Sequence, residues 1–175
     1  MPRFPDDRLL QVTRLVLTVL MGLTIFSAVA ALATLPILYF KYDLVVAEFA
    51  KVGIRAESIP RVVALMLGGV VLSVLAFFFL RHLRRIVDSV SHGDPFVPIN
   101  ADRLRHMAWL ALAMQAVMVP VMGLLVWWDA LPDKANVHYS DNNWFGGLML
   151  ALLLFVLARV FRVGAAMREE LEGTV

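Results

Sequence analysis

Apolar positions along this chain gather into four runs, Leu15–Phe40, Val62–Leu80, Met107–Trp128 and Trp144–Ala158, none of which contains Asp, Glu, Lys, Arg or His. Crossing the roughly 30 Å hydrocarbon core of a bilayer takes about 20 apolar residues in a helix. A helix also pairs its own backbone N–H and C=O groups where no water is present to do so. The pattern predicts an all-α fold: an integral membrane four-transmembrane-helix bundle built as two antiparallel helical hairpins. It is a single membrane domain, 1–175, with spans at about 15–40, 62–80, 107–128 and 144–161 and a connecting loop at 81–106. The fourth run is short, about 22 Å at ~1.5 Å per residue. Arg159 is expected to snorkel to the interface so that Val160 and Phe161 complete the span.

The first run has a competing reading. Arginines before it and Ala31-Leu32-Ala33 near its end imitate a signal peptide with a small-residue cleavage site. The run nevertheless continues uncharged from Thr34 to Phe40, well past the roughly 7–15 residues of a signal core. The expectation is a retained helix.

Composition agrees with lipid as the solvent. At 61% hydrophobic and 17% charged, a water-soluble domain of this size could not hide its apolar surface. The formal net charge of +2 gives no electrostatic footprint for nucleic acid, so no direct nucleic-acid binding is expected. With no cysteine, disulfides, thiolate metal sites and a cysteine nucleophile are excluded.

The basic residues are placed asymmetrically. Eleven of the sixteen Lys and Arg fall in the N-terminal segment, the 81–106 loop and the C-terminal tail; the other five lie in 41–61 and 129–143. Lys and Arg in short flanking segments stay cytoplasmic, so both termini and the 81–106 loop are expected on the cytoplasmic side of the membrane. Tyr39, Phe40, Tyr42, Trp127, Trp128, Trp144 and Phe145 would then form an aromatic belt at the outer interface.

Small residues four apart let membrane helices approach closely. Ala64/Gly68 and Gly69/Ser73 supply such pairs in the second run and Gly147/Ala151 in the fourth, besides Ser27-Ala28-Val29-Ala30-Ala31 in the first. Packing within one chain is the expected use, although the same faces could serve a homodimer. Gln115 and Pro120 in the third run form the candidate intramembrane polar site: the amide can hydrogen-bond across helices, and proline removes one helical bond and kinks the chain. Ion-coupled transport usually needs an intramembrane acid, base or His, and the spans have none. The Met114, Met118 and Met122 stripe is expected to be flexible packing rather than a soft-metal path.

After Leu80 the helix should continue, with Leu83, Ile86, Val87 and Val90 on one face and Arg81, Arg84 and Arg85 at the headgroups. Gly93 suits a helix end, Asp94-Pro95 a turn, Pro98 an extended segment, and Asn100 an N-cap with Asp102 in the first turn. Phe96, Val97 and Ile99 are apolar for a solvated loop; they either tuck against the bundle or dock a partner. Gly93, Asp94, Pro95, Phe96, Asn100, Arg103 and Arg105 are the candidate partner-binding residues. Arg81/Arg84 and Arg159/Arg162 follow their spans at the same spacing, as two related hairpins would, or equally as two helices leaving the membrane inward.

No catalytic constellation emerges. HExxH, P-loop, GxGxxG and GxSxG patterns are absent. His82, His92 and His106 could approach Asp88, Asp94 and Asp102 at one membrane face, and His138 and Asp141 lie in the other loop; neither group has metal-ligand spacing. The expectation is no enzyme, no cofactor and no metal.

Gly93-Asp94-Pro95-Phe96, Asn100, Arg103-Leu104-Arg105, and the ending Phe161-Arg162-Val163-Gly164 with Met167 to Val175 resemble a family of small bacterial four-helix integral membrane proteins known as a domain of unknown function. The resemblance runs over essentially the whole chain. It implies a gene neighbour, a Cro/CI-type helix-turn-helix regulator, and hence a sensing or anchoring partner for a cytoplasmic transcriptional regulator. The alternative is a small transporter or exporter subunit for a neutral or apolar solute, using Gln115 and the Pro120 kink.

Overall fold

The computed structural model describes residues 8–51, 58–91, 96–129 and 143–172, and these form five helices with no strand. They are α1 (Arg8–Phe40), α2 (Tyr42–Lys51), α3 (Ile59–Ser91), α4 (Pro98–Asp129) and α5 (Asn143–Glu172). Four of them are long and apolar enough to cross a membrane, as the four runs predicted. Hydroxyls within the spans are accommodated locally. Thr18 Oγ1 donates to Arg14 O at 2.7 Å, Thr34 Oγ1 to Ala30 O at 2.8 Å and Ser73 Oγ to Gly69 O at 2.8 Å, so these three donors are paired within their own helices.

Every long helix outruns its apolar run, mainly at the arginine-rich end. The 33 residues of α3 extend about 50 Å at ~1.5 Å per residue, against roughly 30 Å of hydrocarbon. The segment Arg81–Ser91 of α3 therefore projects beyond the apolar layer, as expected, and the first turns of α4 and last turns of α5 run alongside it.

Two local expectations change. The stretch 41–61, read from sequence as a loop, contains α2. Lys41 N bonds Ile37 O and Val45 N bonds Lys41 O, both at 3.0 Å, so the hydrogen-bond ladder survives the junction with α1. Asp43 in the first turn and Lys51 in the last suit the helix dipole, and Val45, Val46 and Phe49 are half-buried on one side. Second, α4 begins at Pro98 rather than after an Asn100 cap. Pro98 takes the first helical position, where its missing N–H costs nothing, and Asn100 N bonds Val97 O at 2.9 Å.

The bundle is open. Among the described residues α1 packs on α3, α3 on α4 and α4 on α5, while α1 touches neither α4 nor α5. The neighbours run antiparallel, because Arg14 near the start of α1 meets Asp88 near the end of α3, and Asp102 at the start of α4 meets Arg162 near the end of α5. The core lies along α4, where Leu104, Met107 and Ala108 cluster with Leu154 and Ala158 of α5, flanked by Phe79, Leu83 and Ile86 of α3. Ala111 and Ala151 are also buried; small side chains on both helices allow this close approach. Leu153, Val156 and Val160 of α5, like Leu15, Val19 and Leu23 of α1, are exposed. Apolar surface on that scale belongs in lipid.

Candidate functional site

Polar side chains of all four long helices converge at the arginine-rich end. The tightest junction is a clasp between α3 and α4. Asn100 is 0% exposed; its Nδ2 donates to Ser89 Oγ at 2.7 Å, and its Oδ1 accepts from Arg103 Nη1 at 2.9 Å. Ser89 Oγ in turn donates to Ile86 O at 2.7 Å, and Arg103 Nη1 also reaches Arg85 O at 3.0 Å. Each member thus offsets the desolvation of the next. Arg14 Nε lies 2.9 Å from Asp88 Oδ1, tying α1 to α3, and Arg162 Nη2 lies 2.8 Å from Asp102 Oδ1, tying α5 to α4. Both ion pairs are half open to solvent, so they orient side chains more than they stabilise the fold.

Phe96 closes the same end. Its ring tilts against Phe161 with centroids 5.2 Å apart and covers Gly164, where an added Cβ would lie 3.0 Å from Phe96 Cδ1. One face is tucked against α5, while 43% of the residue stays exposed.

One turn deeper, the imidazoles of His82 and His106 stack with centroids 5.6 Å apart and planes 6° from parallel. His106 Nδ1 lies 2.7 Å from Asp102 O, and His82 Nδ1 is buried with no hydrogen-bond partner among the described residues. His82 sits beyond the end of the apolar run. Burial first, then His106, Arg85, Arg103 and Arg81, hold its pKa below the ordinary histidine value. A group whose folded pKa is depressed binds its proton more readily unfolded, so the stack is fully supported above the unfolded pKa of about 6.5. Stability should fall as pH drops below that value. Thermal unfolding of the detergent-solubilised protein across pH 5–8 checks this; in His82→Gln the fall should flatten.

Among the described residues no three His, Asp or Glu side chains are grouped to hold a metal ion. Asp88 and Asp102 face Arg14 and Arg162 instead.

Of the candidate partner-binding residues, Gly93, Asp94 and Pro95 lie outside the described residues, as do His92, His138 and Asp141. Asn100 and Arg103 are engaged within the fold, which leaves Phe96 and Arg105 presenting surface. Ser89, the Phe96–Phe161 contact and the Arg14–Asp88 and Arg162–Asp102 pairs were not foreseen from the sequence, because no spacing rule links residues from different helices.

The intramembrane pair separates. The Gln115 amide occupies the space where Gly147 of α5 lacks a Cβ, as an interhelical contact would. Pro120, still inside the continuous α4, is exposed, so the two form no common site. Met114, Met118 and Met122 are half-buried along α4.

Four membrane-length helices with little buried area and a polar, interlocked end define a multi-pass helical membrane protein. The chain belongs to the family described as Protein of unknown function (DUF2975), which matches residues 47–175. The match covers α3, α4 and α5 and leaves α1 outside, a narrower reach than the resemblance read along the whole sequence. No curated protein and no solved structure matches the chain.

Proposed function

We propose that this protein is a non-enzymatic partner of a cytoplasmic helix-turn-helix transcriptional regulator, which it anchors or signals to from a bacterial inner membrane. The carrying observation is a set of exposed apolar residues where none is needed for lipid contact. Val90 near the end of α3, Phe96 in the turn before α4 and Ile99 in the first turn of α4 are 39%, 43% and 55% exposed, on the stretch that lies past the apolar layer. Exposed apolar residues grouped outside the bilayer suit a protein interface. The clasp of Asn100, Ser89 and Arg103 holds together the helix ends that carry Val90 and Ile99. Orientation with this end inside is supported by the eleven basic residues on its side of the spans. The gene-neighbour association implied by the family resemblance supplies the kind of partner.

Co-purification in mild detergent with the neighbouring regulator tests the reading. Wild type should retain it, and Phe96→Asp with Ile99→Asp should weaken binding by about tenfold or more, because a charge would be buried in an apolar contact. No retention by wild type, or undiminished retention by the double variant, rejects it.

A further inference from the structure

A groove of about 440 Å³ opens between α4 and α5 at the arginine-rich end, lined by Arg105, Phe155, Ala158, Arg159, Arg162 and Val163. Three guanidinium groups on one open groove are not explained by packing. Only Arg162 has an ion-pair partner among the described residues, Asp102, at 2.8 Å; with that one acid, the groove keeps an excess of positive charge. The arginines also sit at a defined depth. Arg105 is two residues before the third apolar run and Arg159 directly follows the fourth, which puts both at headgroup level. One turn further in, charge gives way to rings: Trp109, 57% exposed, meets Phe155 edge-on with centroids 5.5 Å apart. Tryptophan at such a depth marks the membrane interface.

We propose that this groove binds an anionic phospholipid, with its phosphodiester held by Arg105, Arg159 and Arg162 and an acyl chain lying against Trp109 and Phe155. Guanidinium groups bind phosphate oxygens through paired N–H donors, and basic pockets between membrane helices take lipid headgroups in this way. Asp102 orients Arg162 and leaves its remaining donors to the ligand. An inorganic phosphate would meet the same arginines but gain nothing from the apolar floor of Phe155, Ala158 and Val163 or from the rings below. A phospholipid uses both halves. The site is independent of any regulator and rests only on the protein lying in a membrane.

Native mass spectrometry of the full chain in detergent tests this in three arms: phosphatidylglycerol, phosphatidylcholine and inorganic phosphate. Phosphatidylglycerol should be retained in preference to the other two. Arg105→Gln with Arg159→Gln should weaken it by about 25-fold, near fivefold per arginine, and the Arg105→Lys, Arg159→Lys pair should lose less. Arg81→Gln with Arg84→Gln removes the same charge from α3 outside the groove and should leave binding within about twofold. A thermal unfolding curve matching wild type confirms that each variant is folded; if the Gln pair fails it, the comparison of the Lys pair with the α3 pair decides. Equal losses in groove and α3 variants, equal retention of phosphatidylcholine, or retention of free phosphate with the same arginine dependence would each overturn the assignment.

Discussion

Gly68→Ala should destabilise the α3–α4 interface by about 1–3 kcal/mol, the usual cost of forcing extra volume into a packed contact. A Cβ on Gly68 would lie 2.5 Å from Val121 Cγ2, and Val121 is buried. Valine is stiff at χ1, so the clash cannot be relieved by swinging a long side chain away; the helices must part. Adding Val121→Ala should restore much of the loss, giving a coupling energy of about 0.5–3 kcal/mol in a double-mutant cycle. Gly69→Ala is the control, because its Cβ would meet nothing within 4 Å. Reversible unfolding in mixed micelles titrated with SDS measures Gly68→Ala, Val121→Ala, their double variant and Gly69→Ala. Equal effects at Gly68 and Gly69 would show that this seam is not where the two helices meet.

The second large effect is expected at Asn100. Asn100→Ala deletes the donor to Ser89 Oγ and the acceptor for Arg103 Nη1 at a fully buried position. Leaving such partners unmatched costs about 1–3 kcal/mol. Asn100→Asp should fall between wild type and alanine. It keeps an acceptor for Arg103, but its carboxylate faces an oxygen of Ser89 whose proton is already given to Ile86 O, so the serine hydroxyl must turn. The same SDS titration reads this order, and an alanine variant as stable as wild type would remove the clasp as a structural element. Because the clasp joins the ends of α3 and α4 that carry Val90 and Ile99, its loss should also weaken the regulator retention proposed above.

These two sites show how unevenly sequence and structure speak. The sequence offered Ala64/Gly68 and Gly69/Ser73 as equivalent small-residue pairs. Only a neighbouring helix distinguishes them, and it puts Val121 against Gly68 while leaving Gly69 open. Gln115 was legible as an interhelical group, since a lone amide in an apolar run calls for a partner, but its seat over Gly147 was not. Asn100 was noticed for the wrong reason: its type suits a helix cap, yet Pro98 starts the helix and the amide turns inward to Ser89. Phe96 was recognised as too apolar for a solvated loop, and the structure bears out the tucked reading for one ring face, which lies on Phe161, while 43% of the residue stays exposed. The helix α2 escaped notice because ten residues interrupted by Asp43, Glu48 and Lys51 carry no long apolar signal.

Hydropathy alone determined the four spans and their all-α character, because lipid leaves the backbone of an uncharged run only one way to pair its own polar groups. It also separated a basic end from a poorer one, since charge stays out of hydrocarbon wherever it lies in the chain. Tertiary structure decided what depends on contact between distant residues. The order α1–α3–α4–α5 without closure, the clasp at Asn100, and the meeting of Arg105 with Arg159 and Arg162 all arise from side chains far apart in sequence. Within lipid the hydrophobic effect does not choose between apolar helix faces; steric fit and hydrogen bonds do, and those exist only once the helices are side by side.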